Sequence, residues 1–184
     1  MKYKITFCLL MVTAILIISM ITNKYVEEYE NEKQIEQILE QPEKQEEYKG
    51  YKIIGILKIS KINIEYPILE IENISPESAK EPLKISIIKY WGNKVNDYGN
   101  LSIAGHNNKS GTMFGKIKQL EKGDIIELKD LTSQVIKYSI YDIFIVKPDD
   151  LSVLLSKDEN VREVTLITCT NGNKQRLIIK AQEI

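Results

Sequence analysis

Side chains with catalytic chemistry lie at the polar ends of two predicted strands. Cys169 ends the apolar run Val164–Thr168, and Arg176 precedes the run Leu177–Ala181 across a Thr-Asn-Gly-Asn turn. Both runs are rich in β-branched residues, so we predict two adjacent strands joined by a short loop. A thiol and a guanidinium at one end of a sheet would supply a nucleophile and a fixed cation for a thiolate or a developing oxyanion.

The single histidine of the chain, His106, follows another predicted strand, Asn100–Gly105. A cysteine taken alone is more often a small buried apolar residue, and a strand-end arginine is more often solvated. A lone histidine, a lone domain cysteine and a strand-end arginine together are the groups that a thiol acyltransferase uses. The combination therefore favours nucleophilic catalysis by Cys169.

The sequence around these residues resembles the signature of the sortases, the cysteine transpeptidases of Gram-positive cell surfaces. The resemblance is carried by Thr165-Leu166-Ile167-Thr168-Cys169 with Arg176 after it and Ala104-Gly105-His106 before it, and it extends from about Ile53 to the C-terminus. It implies a closed eight-stranded β-barrel with short peripheral helices, whereas hydrophobic periodicity alone predicts only a mostly β fold.

The resemblance also implies a site. Its catalytic residues would be His106, Cys169 and Arg176, and we expect the substrate to be bound by Thr168, Asn107 and Ala104. The thiolate would attack an LPXTG-like sorting signal between Thr and Gly, and the imidazolium would protonate the departing amine. The arginine would orient the substrate and stabilise the oxyanion with a backbone N–H. An amine of a peptidoglycan precursor or a pilin would then resolve the thioester.

Features of two sortase subclasses occur together. Gly111-Thr112-Met113-Phe114-Gly115, after the histidine, resembles class B, but the connection Val146–Val161 is shorter than the helical insertion of that class. The compact domain favours class D, although Thr170-Asn171 departs from the class D pattern. Because specificity tends to lie in loops on a rigid scaffold, we predict that residues 147–160 help to choose the sorting signal.

The remaining elements follow from periodicity and turn residues. Further strands are predicted at Ile53–Ile59, Ile62–Leu69, Ile125–Leu128 and Val135–Val146. Helices are predicted at 75–81, 110–120 and near 149–155, with Met113, Ile117 and Leu120 on one buried face. Residues 90–100 are predicted to be a loop, in which Trp91 is either a core residue or a platform for a ligand.

The N-terminal region predicts membrane attachment. An apolar run at Ile5–Ile21 follows Lys2 and Lys4, so we interpret residues 1–24 as an uncleaved anchor with the rest of the chain outside the cell. A cleaved signal peptide is the alternative. The localisation expected is a single-pass protein of the cell membrane.

An acidic segment, residues 25–50, is interpreted as a stalk that precedes the catalytic domain at 51–184. Within it, Ile35, Ile38 and Leu39 recur at helical spacing, which predicts a helix at Glu32–Gln41 that Pro42 interrupts. The alternative is a helix that packs on the domain or covers its active site.

Composition excludes other classes. The chain has 184 residues, of which 43% are hydrophobic, so we expect a hydrophobic core. Its net charge of -1 shows no excess of basic residues, so we expect no binding of nucleic acid. We expect no disulfide between Cys8 and Cys169 and no cofactor. We also expect no metal site, because one histidine and one accessible cysteine are too few ligands for zinc. The rival functions are an L,D-transpeptidase-like cell-wall enzyme and a non-catalytic, membrane-tethered binding domain.

Overall fold

The structure, a computed structural model, describes residues 2–40, 46–156 and 158–184. The chain divides into two compact units, residues 1–40 and 41–184. Helix α1, Lys2–Glu40, makes up the first unit. We predicted a membrane anchor followed by a separate helix at Glu32–Gln41, whereas the structure has one continuous helix. The predicted end of the helix at Gln41 and Pro42 lies outside the described residues.

The second unit is a closed β-barrel. Its strands are β1 (Glu47–Tyr48), β2 (Tyr51–Ile59), β3 (Ile64–Leu69), β4 (Ile87–Gly92), β5 (Gly99–Ala104), β6 (Ile125–Asp130), β7 (Val135–Val146), β8 (Arg162–Thr170) and β9 (Gln175–Glu183). A short helix, α2 (Lys80–Ile85), precedes β4. The strand order is β1-β2-β3-β4-β5-β8-β9-β7-β6, and β6 pairs with β2. Strands β2 to β9 therefore form the eight-stranded barrel that the sequence predicted.

Aliphatic side chains from across the barrel fill its core. Six fully buried examples come from six different strands: Leu57, Ile68, Ile103, Ile126, Leu166 and Ile179. Branched side chains suit this environment because they pack well on a pleated surface with little loss of rotamer freedom. Burial of each stabilises the barrel by about 1.5–3 kcal/mol, which gives the strand ends a rigid support.

Two adjacent pairings determine where the site forms. Strands β5 and β8 run parallel, from Gly99 opposite Arg162 to Ala104 opposite Ile167. Strand β9 runs antiparallel to β8, with Cys169 opposite Arg176. The C-terminal ends of β5 and β8 and the start of β9 consequently lie at one end of the barrel.

The helix predicted at 110–120 is wrong. A 3-10 turn at Ile117–Gln119 is the only helical part of this segment, and the rest is a folded loop. Gly111 and Met113 have positive φ angles of 88° and 49°, which no right-handed helix accommodates. The prediction of a buried face was nevertheless correct, because Met113, Ile117 and Leu120 are all at most 4% exposed.

The loop predicted from residue 90 is also wrong at its start, because Tyr90–Gly92 belong to β4. Trp91 pairs with Ser102 of β5, and a register shift between Lys89 and Trp91 disrupts the alternation that would have indicated a strand. The Trp91 side chain is 53% exposed, which excludes the interpretation as a core residue.

The other short helices differ in position or type. The helix predicted at 75–81 begins later, as α2; before it, the Ser78 N–H donates to Ser75 Oγ within a turn. A 3-10 turn at Leu151–Leu154 confirms the short helix predicted near 149–155. Both ends of β7, Val135 and Val146, were predicted correctly.

Candidate active site

His106 is held next to β8 by hydrogen bonds that continue beyond the end of β5. The Gly105 N–H donates to the Ile167 carbonyl at 3.1 Å, and Thr168 Oγ1 donates to the Gly105 carbonyl at 2.7 Å. Both groups of Gly105 are thus bonded to the strand that carries the cysteine. The backbone of the segment after β5 therefore stays hydrogen-bonded to β8 up to the residue before His106.

His106 and Cys169 come together because of this register. Ala104 lies opposite Ile167, so the same register continued by two residues brings position 106 opposite position 169. Neighbouring strands are about 4.8 Å apart, so the two side chains start from adjacent backbone. The side-chain amide of Asn107 also donates to the Cys169 carbonyl at 2.8 Å. Both candidate catalytic side chains are half-buried.

The loop after His106 closes on itself and on the barrel. The Phe114 N–H donates to the His106 carbonyl at 2.9 Å, and Asn107 forms an antiparallel bridge with Met113. The Met113 N–H donates to the hydroxyl of Tyr66, a buried residue of β3, at 2.9 Å. These bonds hold the histidine from its C-terminal side as firmly as Gly105 holds it from its N-terminal side.

Two glycines allow this close packing. A Cβ atom on Gly105 would lie 2.7 Å from the Phe114 ring and 2.9 Å from Ile87 Cγ2. A Cβ atom on Gly115 would lie 2.2 Å from the Asn108 carbonyl oxygen. Any larger residue at these positions would force the loop away from the barrel, and with it His106.

Arg176 lies beside the cysteine at the start of β9. Its Nη1 donates to the carbonyls of Asn173 and Gln175, both at 3.1 Å, so the turn before β9 fixes the orientation of the guanidinium. Within the described part of the chain, its remaining N–H groups donate to no protein acceptor. They are available to the oxygen atoms of a substrate.

Comparisons with known proteins identify the family. The sequence matches the Sortase domain over residues 57–184. This chain belongs to the sortase family. It is 32% identical over 130 residues to Sortase A of Bacillus anthracis, which covers 69% of this chain and 58% of that protein. It is 27% identical over 135 residues to Sortase A of Staphylococcus aureus, at 72% and 63% coverage. The chain thus spans less than two thirds of each of these relatives.

A solved sortase structure has the same fold. The Sortase D5 transpeptidase of Clostridium perfringens superposes with a TM-score of 0.65 and 29% sequence identity. The match covers 86% of this chain and 99% of that one.

The three residues predicted to bind substrate lie at the same end of this sortase barrel as His106, Cys169 and Arg176. Ala104 ends β5 and is 9% exposed, and Thr168 is 2% exposed with its hydroxyl bonded to Gly105. Asn107 is exposed, but its amide is bonded to the Cys169 carbonyl. These bonds give Thr168 and Asn107 a role in positioning, and contact with substrate stays a prediction for all three.

Sequence reasoning missed two residues that support the histidine, Tyr66 and Phe114. Tyr66 reaches the loop across a gap of 47 residues in sequence, which no local pattern reveals. Phe114 had a detectable signal, because Gly111 and Gly115 around it indicate a tight loop rather than a helix.

Thr168→Val tests the positioning role. The change keeps the shape of the side chain but leaves the Gly105 carbonyl without a buried donor, at a cost of about 1–3 kcal/mol. We expect kcat for peptide cleavage to fall while KM changes little, because the histidine shifts and the substrate surface does not. Thr168→Ser, which retains the hydroxyl, should recover most of kcat. A rise in KM with unchanged kcat would show substrate contact instead.

Proposed function

We propose that this sortase-family chain is a membrane-anchored cysteine transpeptidase. It cleaves an LPXTG-like sorting signal through a thioester on Cys169 and transfers the acyl group to an amine of the cell wall or of a pilin. The observation that carries the proposal is the convergence of Cys169, His106 and Arg176 at one end of the barrel. The family match and the likeness to a structure described as a transpeptidase support it.

The proposed reaction has two acyl transfers. In the first, the Cys169 thiolate forms a bond to the carbonyl carbon of the threonine, and the bond to the glycine nitrogen breaks. The His106 imidazolium gives its proton to the departing amine. In the second, neutral His106 accepts a proton from the acceptor amine as its nitrogen attacks the thioester, and the thiolate leaves. The thiolate and imidazolium are thereby regenerated.

Arg176 stabilises the charge that develops in each transfer. Its side chain is held by two carbonyls of its own turn, so the guanidinium does not have to be ordered when the substrate binds. Arg176 and Cys169 are direct partners in the pairing of β8 with β9, so the two side chains start from adjacent backbone. The guanidinium therefore orients the substrate and donates hydrogen bonds to the oxyanion.

The membrane anchor is proposed from α1. The helix is long and apolar enough, by length and composition, to cross a membrane. Its 39 residues extend about 58 Å, roughly twice the thickness of the hydrocarbon core. We assign residues 1–24 to the anchor, 25–50 to an extracellular stalk and 51–184 to the catalytic domain. The basic residues Lys2 and Lys4 would stay on the cytoplasmic side.

The substrate specificity is proposed to be class D-like. In the described residues of the connection between β7 and β8, 147–156 and 158–161, there is one 3-10 turn and no long helix, unlike class B. The likeness to Sortase D5, which covers nearly all of that chain, supports the same assignment. Residues 147–160 begin next to the catalytic end, because Val146 pairs with Arg176, and we propose that they help to choose the sorting signal.

The nucleophile is tested with the full-length protein in detergent micelles, an LPXTG-type peptide and an amine. Mass spectrometry should detect a thioester adduct and a transpeptidation product. Cys169→Ala should abolish both, and His106→Ala should reduce product formation by about 10²- to 10⁴-fold. The matched control is Cys8→Ala, which removes the other thiol and should change nothing. Product formed by Cys169→Ala would contradict the mechanism.

The arginine is tested by comparing two replacements. Arg176→Lys keeps the charge but loses the planar set of donors, so it should recover only part of the kcat/KM that Arg176→Ala loses. Lys174→Ala, which removes an exposed cation from the same turn, is the control and should stay within about twofold of wild type. If Arg176→Lys equals wild type, the arginine supplies diffuse charge and does not orient the substrate.

The topology is tested by adding protease to intact protoplasts that carry an epitope at the C-terminus. We expect the epitope to be lost while a cytoplasmic marker protein is preserved. Lysis before digestion controls for access of the protease. Protection of the epitope in intact cells would show that the domain lies inside.

A further inference from the structure

A group of buried polar residues lies on the sheet face that carries the catalytic side chains. We refer to Asn100, Ser102, Glu163, Thr165 and Lys180 as the anchor cluster; each is at most 5% exposed. Asn100 pairs with Glu163, and Thr165 pairs with both Ser102 and Lys180, so all five share one face of β5, β8 and β9. Burial of polar and charged side chains lowers the stability of the fold unless they are hydrogen-bonded or ion-paired, so each member of the cluster needs a partner.

The cluster lies on the same face as the catalytic residues. Cys169 follows Thr165 by four residues and Arg176 precedes Lys180 by four, with no register shift between β8 and β9. Side chains an even number of residues apart point to the same side of a strand, so the two groups share a face. Four residues of strand separate them by about 13 Å.

The anchor cluster binds the backbone of the connection between β7 and β8. Asn100 Nδ2 donates to the Leu154 carbonyl at 2.9 Å, and Lys180 Nζ donates to the Leu155 carbonyl at 3.2 Å. The next residue, Ser156, donates through Oγ to Glu163 Oε2 at 3.1 Å. Three consecutive residues are thus held by β5, β9 and β8, the three strands that position His106, Arg176 and Cys169.

Bonds within the cluster fix the direction of its donors. Thr165 Oγ1 donates to Asn100 Oδ1 at 2.8 Å, so the other end of this amide is directed at the connection. Tyr141 of β7 donates to Glu163 Oε1 at 2.6 Å, which leaves the second carboxylate oxygen for Ser156. Burial and this bond to Glu163 raise the pKa of Tyr141, so the hydroxyl stays a donor.

The bound segment is also locally ordered. The Asp150 carboxylate accepts hydrogen bonds from the Ser152 N–H at 3.1 Å and from its hydroxyl at 2.5 Å. Val153 is buried, whereas Leu151 and Leu155 are 61% and 64% exposed. The connection therefore presents two apolar side chains to solvent from a backbone that the barrel holds in place.

We propose that Asn100 and Lys180 are positioning residues for substrate selection. By fixing the carbonyls of Leu154 and Leu155, they hold one part of a connection that begins next to Arg176, where Val146 pairs with that residue, and so set the course of the whole connection. This proposal rests on the proposed function, because it concerns how that same site discriminates between sorting peptides. A cluster that served stability alone could be replaced by apolar side chains without any effect on peptide preference.

The test is Lys180→Met in the full-length protein, which removes the donor and keeps an unbranched stem. Lys137→Met, at an exposed lysine of β7 outside the cluster, is the matched control. Ser156→Ala is a second variant. It removes a hydrogen bond to the cluster by a change in the connection itself, so the sequence of the barrel strands stays the same. Hydrogen–deuterium exchange of residues 151–156 is measured together with kcat and KM for LPXTG-type peptides that differ at their first residue.

We expect faster exchange in residues 151–156 and a rise in KM of about tenfold for Lys180→Met, the typical effect of one hydrogen bond on an equilibrium. Discrimination between the peptides should shrink, and kcat should stay within about threefold of wild type. Ser156→Ala should act in the same direction with a smaller effect. Lys180→Arg, which retains a donor, should restore most of the discrimination.

Two outcomes would overturn the proposal. Unchanged exchange in both Lys180→Met and Ser156→Ala would show that the cluster does not hold the connection. Faster exchange with unchanged KM and peptide preference would show that the position of the connection does not select substrate. Failure of the wild-type protein to form any thioester would instead refute the proposed function, while the exchange data would still report on the anchoring itself.

Discussion

The parallel pairing of β5 with β8 is the constraint on which the site depends. Parallel strands end at the same side of a sheet, so this pairing brings two segments that are over 60 residues apart in sequence to one place. The register of this pairing decides which face of the sheet each side chain occupies. A slip of one residue would turn the Cys169 side chain away from the face that carries His106. The buried aliphatic residues of both strands resist such a slip, and the hydrophobic core thereby protects the geometry of a polar site.

A strand pairing alone, however, does not orient a histidine. The backbone of His106 is fixed on both sides, through Gly105 bonded to β8 and through the following loop, in which Phe114 bonds to His106 and Met113 bonds to Tyr66 of β3. Each hydrogen bond among these supports has a main-chain group of the segment around His106 as one partner, and such bonds are less variable than contacts between two long side chains. A general acid and base must be held within hydrogen-bond reach of the reacting groups, and a backbone fixed on both sides meets that requirement.

Alternation in strands such as Val135–Val146 predicted only a mostly β fold, and the closed barrel was predicted because the specific motif ending at Cys169 resembles that of the sortases. The sequence did not predict the loop at 110–120, where Met113 and Ile117 have helical spacing. The spacing reflects burial against the barrel, while the positive φ angles of Gly111 and Met113 and the distant hydroxyl of Tyr66 decide the backbone. Similarly, β4 was missed because its bulge before Trp91 interrupts the alternation. Hydrogen bonds to residues distant in sequence and irregular strand pairing leave no periodic pattern of hydrophobic residues in the sequence.

The buried polar face beneath the β7–β8 connection follows from the same architecture. A connection that crosses a sheet without forming a regular ladder must find partners for its carbonyls, and the sheet face below it can supply them only from side chains. Asn100 and Lys180 do so here, although both side chains are buried. Because β5, β8 and β9 also position His106, Cys169 and Arg176, the candidate site and the segment held by the cluster share one frame. A movement of that frame would shift the three candidate catalytic side chains and residues 154–156 together, so the peptide selection that we propose stays coupled to the position of the candidate site.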